Sequence, residues 1–474
     1  MALHDLPVDI ILEIVNFLEL SNAIALLITC STLYRLSTER SFWISVLETT
    51  RKISPIGCPR HAQLSQLTLD TLKCEAFSWL KLQKNLSLPF PQLVHPPTRN
   101  PLPERAQIIF AIQGTDILLI ATISRRGKVF CWDARLGAAF PFPAIETGGA
   151  VTQVSCPSER SGVCVLSIIA LPLGALQIPC RYIITIEHEA GKAVSFTSES
   201  SEVSIPPQSH FEGLFVTEDI VGMMIAVDNE KECSLTVSGV TNGSHIPTST
   251  SILDMHRLIS PFALIVTFSY NDHLYILLED GSSVQVQHIS RKSLQSGHIQ
   301  ESGLFHCDIQ PSDTDFDAFC FMIPSTQFYG ISAVFVRMEW RDDNVEPDEI
   351  RVTSFTFLPN SLSYASDDGV SSPLIFDSPC VTHCVSGALV AMGLVWLDHS
   401  GFHVAAVIQP DQRLEPPNLI LVQYHPESHS TSSHTLTIPD DMDAKNLCSV
   451  CFDDAAGAVH LVDTEGILTS LRYV

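Results

Sequence analysis

Six prolines, at positions 89, 91, 96, 97, 101 and 103, fall inside fifteen residues of this chain. Proline fixes φ and carries no amide N–H, so such a stretch supports few helix or sheet hydrogen bonds and predicts a stiff, extended connector. It also separates two kinds of patterning. Before it, apolar residues recur at helical spacing; after it, short β-rich runs alternate with turn residues. The expected organisation is a helical region over 1–48, a helical extension over 49–88, a Pro-rich linker over 89–106 and an all-β region over 107–474.

The helical part opens with LPVDIILEIVNFL, residues 6–18, in which nine of thirteen positions are Leu, Val, Ile or Phe. Its only polar side chains, Asp9, Glu13 and Asn16, form one narrow stripe at i, i+4 and i+7. Ser21 is placed to cap a second helix over NAIALLITC, and Ser41 to cap SFWISVLETTRK. Farther on, Leu69, Leu72, Ala76, Trp79 and Leu80 recur at helical spacing.

Beyond the prolines, QIIFAIQ, DILLIATIS and KVFCWDA begin a series of about twenty short strands separated by turn residues. A strand, a Gly turn, a strand and an Asp/Gly turn recur at roughly 45–60 residues, most clearly near TISRRGKVFCWDARLG, LYILLEDGSSVQVQHIS and CFDDAAGAVHLVDTEG. Trp132-Asp133 resembles the dipeptide that gives WD-repeat propeller blades their name. The expected fold is therefore multidomain, a small all-α domain followed by a six- or seven-bladed β-propeller, with β-sandwiches as the alternative.

An apolar fraction of 45% with 17% charged residues describes a folded chain and not a disordered one. Charge is unevenly spread: residues 1–100 carry a formal +1, and residues 101–474 carry 18 basic and 44 acidic side chains, a formal −26. A body this acidic repels phosphate backbones and anionic lipid heads, which argues against nucleic-acid and membrane partners. Asp5, Asp9 and Glu13 interrupt any signal-peptide pattern. The longest apolar runs, 163–176 and 387–397, fall short of the ~20 residues of a membrane span. The expected setting is the cytoplasm and/or nucleus, with the sequons at Asn85 and Asn242 unused.

Chemistry is thinly represented. The chain holds no G-x-S-x-G, H-E-x-x-H, Walker or G-x-G-x-x-G motif, so no catalytic residue is assigned. Asp342, Asp343, Glu346, Asp348 and Glu349 surround Pro347 without EF-hand spacing and read as a solvated loop. Fourteen cysteines are scattered. The best cluster, Cys380, His383, Cys384, Cys448 and Cys451, fails as a metal site because CSVC reads as a strand, where i and i+3 point to opposite faces. Reduced, buried thiols are expected, with no metal and no cofactor.

The first helix then poses an energetic problem. Burying a Leu or Ile is worth roughly 1.5–3 kcal/mol, so roughly four or five left in water would exceed a small domain's margin. Either the β-region or a second protein must cover that surface, and the proline connector, read as a spacer, favours the second.

Residues 6–47 resemble an F-box. Leu6, Pro7, Asp9, Ile10, Leu12, Ile14, Leu18, Leu26, Cys30, Leu33 and Trp43 carry the likeness, in order and spacing together. Asn22-Ala23 replaces the usual acidic-Leu pair, and Tyr34 stands in for the aromatic of the turn. The segment LKCEAFSWLKLQKNLS and the Pro-rich entry into β-structure are also similar to F-box proteins of fungi. The resemblance implies a Skp-type adaptor as partner and, through it, a cullin. It implies that Leu6, Pro7, Ile10, Ile11, Leu12, Ile14 and Leu18, with Leu26, Leu27, Leu33 and Trp43, face the adaptor, some of them packing inside the domain instead; spacing does not divide them. The β-region would hold an unknown protein substrate. Arg125 and Arg126 are either candidate contacts for a phosphate or carboxylate or a solvated hairpin tip, and the acidity favours a basic or apolar substrate segment. The implied function is a non-catalytic substrate receptor of an SCF-type ubiquitin ligase. An F-box scaffold acting outside a cullin ligase is the alternative, and a propeller hydrolase or lectin the reading of a different class.

Overall fold

The computed structural model describes residues 6–58, 62–172, 178–189, 191–203, 209–217, 220–227, 232–241, 244–254, 264–270, 273–279, 283–296, 302–308, 321–322, 325–327, 330–340, 347–359, 374–390, 394–397, 402–410, 416–425, 428–439 and 441–474. Helices α1 (Val8–Val15), α2 (Leu20–Leu27), α3 (Ser31–Tyr34), α4 (Arg40–Ile53) and α5 (Leu69–Leu86) make up the N-terminal part. Ser21 and Ser41 lie inside the first turns of α2 and α4 and cap neither, since these helices begin after Glu19 and Glu39. Thr68 does cap α5, its hydroxyl accepting from the Thr71 amide at 3.2 Å. The core of the bundle is built from Ile11, Val15, Leu20, Phe42, Trp43 and Leu47, and α5 adds Leu72 and Ala76 with Trp79 against its edge.

Among the described residues the strands form seven antiparallel sheets of four or five strands. In chain order, they span residues 106–146, 149–202, 209–254, 264–308, 321–386 and 388–436, and a seventh comprises Leu447–Asp453, Ala458–Asp463 and Ile467–Arg472 with Thr98–Pro101 as its fourth strand. Sheets 1 to 4 pack side by side in chain order, as do sheets 5 to 7, and sheet 7 also packs beside sheet 1. The all-β region is thus a β-propeller in which at least five sheets stand as blades. Asp342, Asp343 and Glu346 of the acidic cluster lie outside the described residues, as do the side chains of Asp348, Glu349 and Cys380 and the whole of Asn242; the backbone of Asp348 and Glu349 belongs to strand Pro347–Pro359 and not to the expected loop.

The connector departs from its expected character. Thr98–Pro101 pairs antiparallel with Ile467–Arg472, Thr98 opposite Ser470 and Pro101 opposite Ile467. The Val94 amide donates to the Arg472 carbonyl at 2.9 Å and the Leu102 amide to the Gly466 carbonyl at 2.8 Å. Proline is compatible with this strand because it is outermost, where a missing N–H leaves no neighbour unpaired. The prolines therefore do not make a free spacer: the segment closes the last sheet.

The helices consequently do touch the β-region. Leu82 and Leu86, on the last turns of α5, are each 1% exposed and pack among Val450, Phe452, Leu471 and Tyr473. The Asn85 amide donates at 2.7 Å to the carbonyls of both Tyr473 and Gln92 and accepts from the Gln92 amide at 2.9 Å. Gly457 makes this approach possible: its φ is +57°, and a Cβ there would lie 2.6 Å from Leu82 Cδ1.

A buried polar network locks the neighbouring turns. The Asp453 carboxylate accepts from the amides of Ala455 and Ala456 and, across to sheet 1, from Gly114, each at 3.0 Å. Asp454 accepts from Gln113 Nε2 at 2.7 Å and faces His403 Nδ1 of sheet 6 at 3.2 Å. Burial raises the Asp453 carboxyl to about 7 against the pull of those amides.

In sheet 7, His460 Nδ1 bonds the Ser470 hydroxyl at 2.9 Å beside the Arg472–Asp116 ion pair. Burial, then Arg472, lowers this imidazole from 6.5 to about 4, with Asp116 opposing. Above pH 6.5 the group is neutral, folded or unfolded. Below it, the unfolded chain takes up a proton that the folded one refuses, so stability falls as pH drops from 6.5 towards 4. Between pH 7 and 5 the loss attributable to His460 is on the order of 2 kcal/mol. His460→Gln should flatten that limb, read from urea midpoints at the two pH values. Leu82→Ala should lower stability by about 2–5 kcal/mol, and hydrogen exchange should place the loss in α5 and sheet 7 together.

Candidate functional site

The N-terminal bundle has more apolar surface than it buries. On α1, the Ile11 and Val15 side chains turn inward at 3% and 0% exposure. A helix with so few polar residues cannot present a wholly polar outer face. Val8 and Ile10 on α1 remain 48% and 47% exposed, and Phe17, just past its end, is 85% exposed. Ile28 at the end of α2 and Tyr34 on α3 are 74% and 60% exposed. Ile10, half-buried Ile14 and Phe17 follow one another at i, i+4 and i+7, giving an apolar stripe beside the polar one. Asn16, in that polar stripe, bonds Ser45 of α4, which fixes how α1 is rotated.

The structure divides the residues that spacing left together. Ile11, Leu27, Leu33 and Trp43 are buried in the bundle core. Trp43 donates to the Ser37 carbonyl at 2.9 Å and meets the Phe42 ring edge-on at 5.4 Å. Leu6, Leu12, Leu18 and Leu26 are half-buried against the same core, while Pro7 and Ile10 are exposed. Sequence reasoning passed over Val8, Phe17 and Ile28. The available signal was Phe17 itself, an aromatic directly after a polar stripe residue.

Those apolar helices lie within the segment that matches a known domain. Residues 3–45 match the F-box domain family. This is an F-box protein with a propeller region. No curated protein matches the chain. F-box domains bind Skp-type adaptors.

The other site residues sit elsewhere. Arg125 and Arg126 are exposed at the turn between Ile117–Thr122 and Lys128–Asp133. That turn lies at the opposite end of strand Ile117–Thr122 from the Gln113–Gly114 turn, which bonds the Asp453–Asp454 turn near α5. The arginine tip therefore points away from the docked helix of the F-box protein. Asp133, in the Trp-Asp pair, ends strand Lys128–Asp133, and its carboxylate accepts from the amides of Arg135 and Leu136 at 2.9 and 2.8 Å. It works as a turn former.

Cys58, Cys131, Cys164 and Cys451 are buried as expected, whereas Cys74 and Cys384 are exposed. A bulge between Leu447 and Ser449 breaks strict alternation, so Cys448 joins the same core cluster as Cys451, contrary to the expected opposite faces. Its sulfur faces the carbonyls of Val462 and Asp463, each at 3.4 Å. Burial raises the Cys448 and Cys451 thiols and pushes Cys131 up to about 12. His383 bonds Thr431 at 3.1 Å. Among the described residues no group of three or more His, Cys, Asp or Glu could hold a metal ion, and no helix is long and apolar enough to cross a membrane.

Two substitutions separate surface from core. Phe17→Asp should leave the melting temperature within a degree or two and abolish capture of a Skp-type adaptor. Trp43→Ala should cost about 3–5 kcal/mol, and lose adaptor capture only in proportion to the unfolded fraction measured by circular dichroism.

Proposed function

We propose that this protein is a non-catalytic substrate receptor of an SCF-type ubiquitin ligase. The F-box stripe grips the adaptor, the adaptor brings the cullin, and the propeller holds the protein to be ubiquitinated. The observation that carries the reading is the uncovered apolar stripe of Ile10, Ile14 and Phe17 on an F-box already anchored to the propeller through α5. We assign the adaptor surface to Pro7, Val8, Ile10, Ile14, Phe17 and Ile28, with Leu6, Leu12, Leu18 and Leu26 supporting it from the half-buried margin.

The propeller, on this reading, is a ring of seven blades. What supports it is that the main strands of all seven sheets of the described residues follow one another in chain order, and that Thr98–Pro101 supplies the fourth strand of the last one. Arg125 and Arg126 are candidate substrate contacts at the end remote from the F-box. A receptor of this kind works in the cytoplasm or nucleus, where the ubiquitin machinery is.

Affinity purification of the full-length chain from cells should recover adaptor and cullin together. Recovery of adaptor without cullin would overturn the ligase reading in favour of a scaffold, and recovery of neither would overturn the adaptor assignment. Leu6→Ala with Pro7→Ala should remove both partners while the propeller keeps its melting transition.

A further inference from the structure

Sheets 2 and 3 do not close completely against each other. Between them lies a cleft of about 280 Å³, lined by residues of Val163–Pro172, Cys180–Glu189 and Lys192–Glu202 on one side and by Val216, Thr217, Ile220 and Val221 on the other. Its floor is apolar: Ile183, Val216 and Val221 pack together at 8%, 3% and 1% exposure. Its rim is polar, with Thr185, Thr197 and Glu199. The ladder explains the arrangement. Ile183 stands directly opposite Glu199 and Thr185 opposite Thr197, so the carboxylate rises one strand away from the greasy floor.

Three features narrow what could occupy this cleft. It falls just below the roughly 300–1,000 Å³ that enclose a drug-sized ligand or cofactor, so a single side chain is the better match. Glu199 is exposed and forms no ion pair or hydrogen bond among the described residues. Arg181, on the neighbouring strand, is buried and stands opposite Ser201 and not Glu199. An unpaired carboxylate inside a region of formal charge −26 attracts a cation. Lastly, Lys192–Glu202 is the last strand of sheet 2 and among the described residues pairs only with Cys180–Glu189, so its other side can accept an added strand.

We propose that this cleft is a recognition pocket for a lysine or arginine side chain presented by an extended segment of a partner protein. The methylene stem lies on Ile183, Val216 and Val221, the cation meets Glu199, and the segment's backbone runs along the open edge of Lys192–Glu202. Long basic side chains are suited to such a site because their stems are apolar and their heads are not. The inference deepens the receptor reading, whose substrate it characterises as basic at one position.

Positional-scanning libraries of extended peptides, passed over the immobilised full-length protein, test it. One position should select Lys or Arg about tenfold over other residues, the equivalent of one charged hydrogen bond. Glu199→Gln should bring that selection down to background, and Glu199→Lys should turn it towards Asp and Glu; both changes sit on an exposed edge and should leave the fold intact by circular dichroism. Retention of no peptide, absence of basic selection, or selection unchanged in Glu199→Gln would overturn the proposal. Adaptor capture is measured on the same proteins. Basic selection without adaptor capture would defeat the receptor reading alone, and adaptor capture without basic selection would defeat the pocket alone.

Discussion

The antiparallel ladder between Thr98–Pro101 and Ile467–Arg472 holds this molecule together. It joins the residues that follow the helices to the last strand of the chain. Because the connector is tied down there, α5 arrives at sheet 7 with its final turns in contact, and Leu82 and Leu86 complete a core that sheet 6 and sheet 7 share. Remove the ladder and sheet 7 loses its outer strand, α5 loses its seat and the F-box loses its orientation. The Asp453–Gly114 and Asp454–His403 contacts act in the same place from the other end of the strands, linking sheet 7 to sheets 1 and 6. One junction therefore carries both the closure of the β-region and the placement of the helices.

Much of this was legible in the sequence. The helices follow from apolar spacing, and the strands from short runs of β-branched residues punctuated by Gly and Asp. The connector was misread for a physical reason. Proline content reports the loss of N–H donors, but an outer strand needs donors on one side only, so Thr98–Pro101 can pair despite Pro101. Adaptor-facing residues were not separable for a different reason. In residues 6–18 the apolar positions run almost all round the helix, so periodicity fixes the polar stripe at Asp9, Glu13 and Asn16 but says little about which apolar side meets α4. The contact of Asn16 with Ser45 settles that, and it is a tertiary contact. The bulge at Cys448 is likewise invisible in a pattern that counts by twos.

The acidity of the β-region and the greasiness of the F-box serve different ends. Apolar surface on α1 costs free energy while it faces water, so it favours whatever covers it. Negative charge spread over the propeller needs no cover. It keeps an apolar chain soluble and repels anions at long range, while biasing encounters towards basic segments.

α5 decides how these two surfaces are related in space. It is eighteen residues long, about 27 Å at 1.5 Å per residue. Its first half belongs to the bundle core through Leu72 and Ala76, and its last turns belong to the sheet 6–sheet 7 core through Leu82 and Leu86. A helix shared by two cores cannot swing at either end without opening one of them. A bridging protein built on a flexible tether would present its cargo at a range of distances, with an effective concentration that falls as the tether lengthens. A bridge built on α5 fixes distance and direction together. On the proposed receptor reading, the surface that a bound protein offers to whatever the F-box recruits would be set by this rigid placement of the propeller on α5.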